Sequence, residues 1–172
     1  GLELAATLRQ KGLEVTLIER DSVLEKLSTP EISIYFQQRL EAQGIQVLTG
    51  ETPASFQGQT TVQAVLTSAG KTVDCDLVLV AIGVEPDVSF LNNSGIKLDN
   101  GVRVDRFLQT NKPHVFAAGD VANFHDDVFN CQHRIEHWDN AVKQGRLAAR
   151  NMMGKHLPYS EVSYFYSHVF DQ

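Results

Sequence analysis

Apolar positions in the first fifty residues alternate between a helical and an extended period. Leu2, Leu4, Ala5, Ala6 and Leu8 fall at helical spacing and Gly12 is a natural stop, so residues 1–10 are predicted helical. Residues 14–18, Glu-Val-Thr-Leu-Ile, read as a strand that ends on Glu19. A second helix is predicted over 30–43, where Ile32, Tyr35, Phe36 and Leu40 share one face. Pro30 suits its first turn and Gly44 follows its end. Residues 45–48 then return as a strand. Helix, strand, helix, strand with short joints is the rhythm of a parallel sheet with crossover helices.

The pattern then changes. Residues 61–67 alternate, Ser68-Ala69-Gly70 turns and 71–75 continues, as in an antiparallel hairpin or meander. Residues 77–82, Leu-Val-Leu-Val-Ala-Ile, are a continuous apolar run of strand length, expected to be buried on both faces. After Gly83 the chain is rich in loop residues, with Pro86, Asn92, Asn93, Asn100 and Gly101. Residues 115–118 are predicted as a second short buried strand, ending in Gly119-Asp120. A long helix is predicted over 138–153, with Trp138, Ala141, Val142, Gly145, Ala148, Ala149 and Met152 as its packed face. Gly154 stops it, and an aromatic-rich tail follows. No internal repeat is present.

Composition narrows the class. The 172 residues carry 15 Lys+Arg against 21 Asp+Glu, a net charge of −6, and 42% are apolar. This is a globular balance, which excludes wholesale disorder, and an acidic chain argues against nucleic acid as main partner. No run of ~18 apolar residues occurs, so no membrane span is expected. Cys75 and Cys131 cannot build a disulfide scaffold and fit a reducing compartment, hence a cytoplasmic location, or else a reducing organelle. The chain opens on Gly1 without a leader, and is expected to be a piece of something longer.

Candidate chemistry begins at Gly1. A helix opening Gly-Leu-Glu-Leu-Ala, then a strand, then an acidic residue matches the second half of a dinucleotide-binding βαβ unit. Gly1 would be the last glycine of the phosphate turn and Glu19 the acceptor for ribose hydroxyls. An ordinary αβ hairpin with a solvated Glu19 fits the same residues. Gly83, within Ala81-Ile-Gly-Val-Glu-Pro86, stands where a backbone can approach a ligand closely. Downstream come Gly101-Val-Arg-Val-Asp105 and then Thr110-Asn-Lys-Pro-His-Val-Phe-Ala-Ala-Gly-Asp120.

That order of segments resembles the pyridine-nucleotide–disulfide oxidoreductase family, and the resemblance covers nearly the whole chain. It implies an α/β, Rossmann-like flavoprotein fold with two dinucleotide-binding domains and a β-meander, here truncated. It implies FAD and NAD(P)H as cofactors, with Asp120, after Gly119, accepting hydrogen bonds from the ribityl chain. The implied domains are residues 1–83 for the nicotinamide nucleotide without its first strand, 84–155 for the C-terminal part of the FAD domain, and 156–172 opening an interface domain.

The segment Arg134-Ile-Glu-His-Trp-Asp-Asn-Ala-Val-Lys-Gln-Gly-Arg-Leu-Ala is similar to ferredoxin and rubredoxin reductases, monodehydroascorbate reductase and apoptosis-inducing factor. By that resemblance Glu136 faces the nicotinamide, His137 and Trp138 contact the flavin ring, and Tyr166 covers it. Plain core packing of Trp138 and Tyr166 is the competing account. The implied activity is hydride transfer from the nicotinamide to FAD and onward electron transfer to a redox protein or small acceptor. The rival is a redox-linked structural or signalling flavoprotein of the apoptosis-inducing type. No protein acid or base is required, so no catalytic residue is assigned.

Glu19 would repel the 2′-phosphate of NADP, which favours NAD, while Arg20 offsets part of that repulsion. Cys131, His133 and His137 lack a fourth ligand, so no metal site is expected, and Asp74 and Asp76 make Cys75 a poor nucleophile. Without a central strand, the run 77–82 and the small-residue helix face should need the missing N-terminal segment or an oligomer to cover them.

Overall fold

The computed structural model describes residues 1–25, 28–164 and 166–170. The chain divides into two compact units, residues 1–82 with 167–172, and residues 83–166.

In the first unit, α1 (Leu2–Gln10) leads into β1 (Thr16–Glu19), and α2 (Pro30–Ala42) leads into β2 (Gln46–Thr49). The two strands pair in parallel, Thr16 with Gln46 through Glu19 with Thr49, so α2 is the crossover helix that the sequence pattern requires. Pro30 sits in the first turn of α2. The core of the unit comprises Ala5, Ala6, Val23, Leu40 and Ile45, with Val169 from the C-terminal segment. The meander is three-stranded: β3 (Pro53–Gln57), β4 (Ala64–Thr67) and β5 (Thr72–Asp74), all antiparallel. Its first strand was not foreseen, because Pro53 and an entirely exposed register give it no apolar alternation.

Residues 77–82 depart from expectation. They are assigned to no strand, and Leu77, Leu79, Val80 and Ile82 are exposed, Ile82 to 87%. An apolar strand is buried on both faces only where it sits in a sheet covered by other elements, and no described strand pairs with this run.

In the second unit, β6 (Val102–Arg103) pairs in parallel with β7 (Ala122–Asp126), which pairs antiparallel with β8 (Cys131–His133). The core gathers Val102, Val104, Leu108, Ala122, Phe124, Ala148 and Tyr159. The expected buried strand at 115–118 is instead irregular and half-buried, held by a single bridge between Gln109 and Phe116. It is too short to form a ladder, and the buried strand of this region is β7.

The last element, α3 (Trp138–Met152), has the predicted bounds to one residue, but of the predicted face only Ala148 is buried. Its buried residues are Asn140, Gln144, Ala148 and Asn151, spaced four, four and three apart. Trp138 is 78% exposed, and Gly145, Ala149 and Met152 are exposed too. The reason is that α3 packs against irregular backbone, which demands hydrogen-bond partners more than apolar surface. Asn140 Nδ2 donates to Ile135 O (3.1 Å), while its Oδ1 accepts from Tyr159 Oη (2.8 Å). Asn151 Nδ2 donates to Phe107 O (2.9 Å) and Leu157 O (2.8 Å), and its Oδ1 accepts from Leu157 N (2.7 Å).

Candidate functional site

The site residues fall into two groups, one in each unit. In the first, Gly1 is the N-cap of α1 and Glu19 closes β1. The βα geometry brings them together: a Cβ added to Gly1 would lie 3.7 Å from Glu19 Oε1. The amide of Glu51 donates to Glu19 O (3.3 Å), which fixes the end of β1 against the chain two residues past β2. The mouth beside Gly1 is a cavity of about 260 Å³ lined by Gly1, Leu2, Glu3, Leu24, Phe36 and Val169. Here Glu3 Oε1 accepts from His168 N at 3.2 Å. The arrangement presents a glycine-capped helix N-terminus with a carboxylate beside it, the combination suited to an anionic group and adjacent hydroxyls. Gly83, at φ +98°, is exposed and stands in open space.

The second group is built on α3. Gly119–Val121 is a 3-10 turn that packs on the first turns of the helix. Gly119 is buried at φ +80°, and a Cβ there would meet Ala141 Cβ at 3.3 Å, so both conformation and space call for glycine. Its amide donates to Gln144 Oε1 at 2.9 Å. Because that amide can only donate, the Gln144 side chain is oriented with its oxygen toward the turn. Asp120 follows with an exposed carboxylate. Arg134, whose side chain is only 9% exposed, donates through Nη1 to Asp120 O (2.9 Å) and pairs with Glu136 Oε1 (2.5 Å). His137 caps α3, its Nδ1 accepting from Asp139 N at 3.2 Å. Trp138 begins the helix and is 78% exposed. Asp139 and Lys143 pair at 2.8 Å, which raises the lysine above its usual value.

The turn and the helix start thus bring Gly119, Asp120, Glu136, His137 and Trp138 into one construction. Tyr166 lies further along the chain, exposed, with its ring 6.4 Å from that of Tyr164. His133 Nε2 faces Asp126 Oδ2 at 3.1 Å, and His137 serves as the helix cap. Among the described residues no group of three His, Cys, Asp or Glu side chains could hold a metal ion.

Two contributors escaped the sequence reading. Arg134 clamps the Asp120 turn, and its signal was the Arg134-Ile-Glu136 spacing, which puts both charges on one side of an extended segment. Gln144 holds Gly119, and its signal was a polar residue one turn after Asn140 on the helix.

A parallel βαβ pair with a glycine–carboxylate mouth, and a Gly-Asp turn locked to a helix N-terminus, define an α/β oxidoreductase fold of the FAD- and NAD-binding kind. Residues 1–145 match the model of the pyridine nucleotide–disulphide oxidoreductase family. The chain is 32% identical to putidaredoxin reductase of Pseudomonas putida, covering 99% of this chain and 42% of that protein. It is 31% identical to monodehydroascorbate reductase of Pisum sativum, covering 99% and 41%. Its backbone superposes on the crystal structure of a ferredoxin reductase from Rhodopseudomonas palustris with a TM-score of 0.92 at 38% identity, over 99% of this chain and 43% of that one. The chain therefore belongs to the pyridine nucleotide–disulphide oxidoreductase family, whose flavoprotein reductases use FAD and NAD(P)H. It spans about two-fifths of the length of the relatives it matches. Among the described residues no helix is long and apolar enough to cross a membrane.

Proposed function

We propose that the protein to which this chain belongs is an FAD-dependent NAD(P)H oxidoreductase that passes electrons to a redox protein or small acceptor in a reducing, cytoplasmic-type compartment. The observation that carries the reading is the Asp120 turn, fixed to the start of α3 by Gln144 and Arg134. Its residues fit a flavin nucleotide. Asp120 offers an exposed acceptor for hydroxyl groups, and the first turn of α3 offers backbone N–H groups without intrahelical acceptors. The partial positive charge of that helix end is worth ~0.3–2 kcal/mol to a negative group placed against it. When bound, FAD supplies the hydride acceptor and the electron store, and the protein supplies position and electrostatics.

In this reading Gly119 and Asp120 hold the ribityl portion, while His137 and Trp138 border the ring and Glu136 faces the nicotinamide. Tyr166 covers the same region. Gly1 and Glu19 receive the nicotinamide nucleotide, its pyrophosphate at the start of α1 and its adenosine ribose at Glu19, and Gly83 lets the chain approach a ligand closely. Residues 1–83 then form the nicotinamide-nucleotide domain, 84–155 part of the FAD domain, and 156–172 the start of an interface domain. The partner resembles those of its relatives, whose names specify ferredoxin-type proteins. Steady-state oxidation of NADH with ferricyanide by the full-length protein is the test. Brisk turnover supports a reductase, and a long-lived charge-transfer complex with negligible turnover overturns it in favour of a redox-linked switch.

A further inference from the structure

Resting on the nucleotide reading of Gly1 and Glu19, we propose that Asp21 is a specificity-determining residue: it occupies the guanidinium of Arg20, the residue that follows Glu19, and so withholds that cation from the 2′-phosphate of NADP. Arg20 is the residue that weakens any argument for NADH from Glu19 alone, since a guanidinium beside the ribose is what a 2′-phosphate needs. In the structure Arg20 is already engaged. Its Nε and Nη2 both reach Asp21 Oδ2, at 3.0 and 2.9 Å. The pairing raises the guanidinium above its usual value, chiefly through the hydrogen bond and the charge of Asp21.

The surroundings act in the same direction. From Glu19 to Glu25 the charged residues are three carboxylates, Glu19, Asp21 and Glu25, against the single Arg20. Glu25 Oε2 is held close by the Ser22 amide at 2.8 Å. Glu51, after β2, adds a further carboxylate on the residue whose amide meets Glu19 O. A phosphate arriving here must displace a carboxylate from Arg20 and sit among others. A ribose with free hydroxyls meets Glu19 and needs no cation. NADH is thereby chosen twice, by attraction at Glu19 and by the capture of Arg20.

Arg20 and Asp21 are both solvent-exposed, with side chains 66% and 42% accessible, and exposed ion pairs are weak. The consequence of freeing Arg20 is therefore a rise of roughly three- to tenfold in preference for the phosphorylated nucleotide, not a full reversal, because Glu19 remains. The experiment titrates the full-length protein with ADP-ribose and 2′-phospho-ADP-ribose, alongside kcat/KM for NADH and NADPH. The proteins are wild type, Asp21→Ala, Arg20→Ala and the double variant. Asp21→Ala is expected to strengthen binding of 2′-phospho-ADP-ribose by roughly that factor with ADP-ribose affinity held, and to do so only while Arg20 is present. An unchanged ratio in Asp21→Ala overturns the proposal, as does an equal rise in the Arg20→Ala background, which would make Asp21 a simple repelling charge. Wild-type protein that binds neither ligand refutes the underlying nucleotide reading, a result distinct from both.

Discussion

Tyr159→Phe removes one oxygen atom from the hub that joins α3 to the chain after it. Tyr159 is 3% exposed, packed edge-on against Phe124 with ring centroids 5.2 Å apart, and its hydroxyl donates to Asn140 Oδ1 at 2.8 Å. Asn140 is itself fully buried. A net hydrogen bond contributes ~0.5–1.5 kcal/mol, and a stranded buried acceptor costs ~1–3 kcal/mol. Ser163 Oγ, at 3.4 Å from the same oxygen, relieves part of the second cost. The expected loss is therefore about 1–2 kcal/mol, or on the order of 3–6 °C in Tm for a chain of this size.

The same hydroxyl gives a pH signature. Burial above all, then the charges of Glu161 and Asp139, push Tyr159 up from 10.0 to about 12. A raised value means that the folded state holds the proton more tightly than the unfolded chain. The contribution is complete below pH ~10, the unfolded value, and is lost as pH climbs through about 12. Chemical denaturation followed by circular dichroism, at pH 8 and at intervals up to pH 11.5, measures both effects. Wild type should weaken more steeply than Tyr159→Phe above pH ~10. A variant as stable as wild type at pH 8, or one with the same alkaline slope, refutes the account of this hub.

Gly101→Ala should destabilise by several kcal/mol in thermal unfolding, because its φ of +112° disfavours any side chain and a Cβ would lie 2.5 Å from Val121 O. Leu108→Ala removes a fully buried side chain from the second unit's core and should cost ~2–5 kcal/mol by urea titration, with the m-value unchanged. Asp120→Ala in the full-length protein should lose FAD on dialysis, since a hydrogen bond to a charged group contributes ~1.5–3 kcal/mol, and full retention of flavin absorbance would reduce Asp120 to a turn residue.

Where periodicity governs, the sequence was legible. The 3.6-residue spacing of residues 1–10 and 30–43, bounded by Gly12, Pro30 and Gly44, located α1 and α2, and the parallel pairing of β1 with β2 followed from the joints between them. The meander followed from alternation around Ser68-Ala69-Gly70, and the order of glycine and aspartate segments carried the family. These are local properties, decided within a few residues by backbone geometry and side-chain shape.

What a strand or helix is buried against is not local. Residues 77–82 have the composition of a central strand, but burial requires a sheet with layers packed over both faces, and this run pairs with no described strand and lies open. On α3, apolarity pointed to Trp138 and Met152, whereas the packed stripe is Asn140, Gln144, Ala148 and Asn151. That choice was made by the irregular backbone at Phe107, Gly119, Ile135 and Leu157, whose polar groups leave water on folding and must find partners. Likewise the sequence supplied Arg20 next to Glu19, and Arg134 upstream of Glu136. Arg20 turns to its chain neighbour Asp21, a local contact, whereas only the tertiary structure brings the Asp120 turn within hydrogen-bond reach of Arg134.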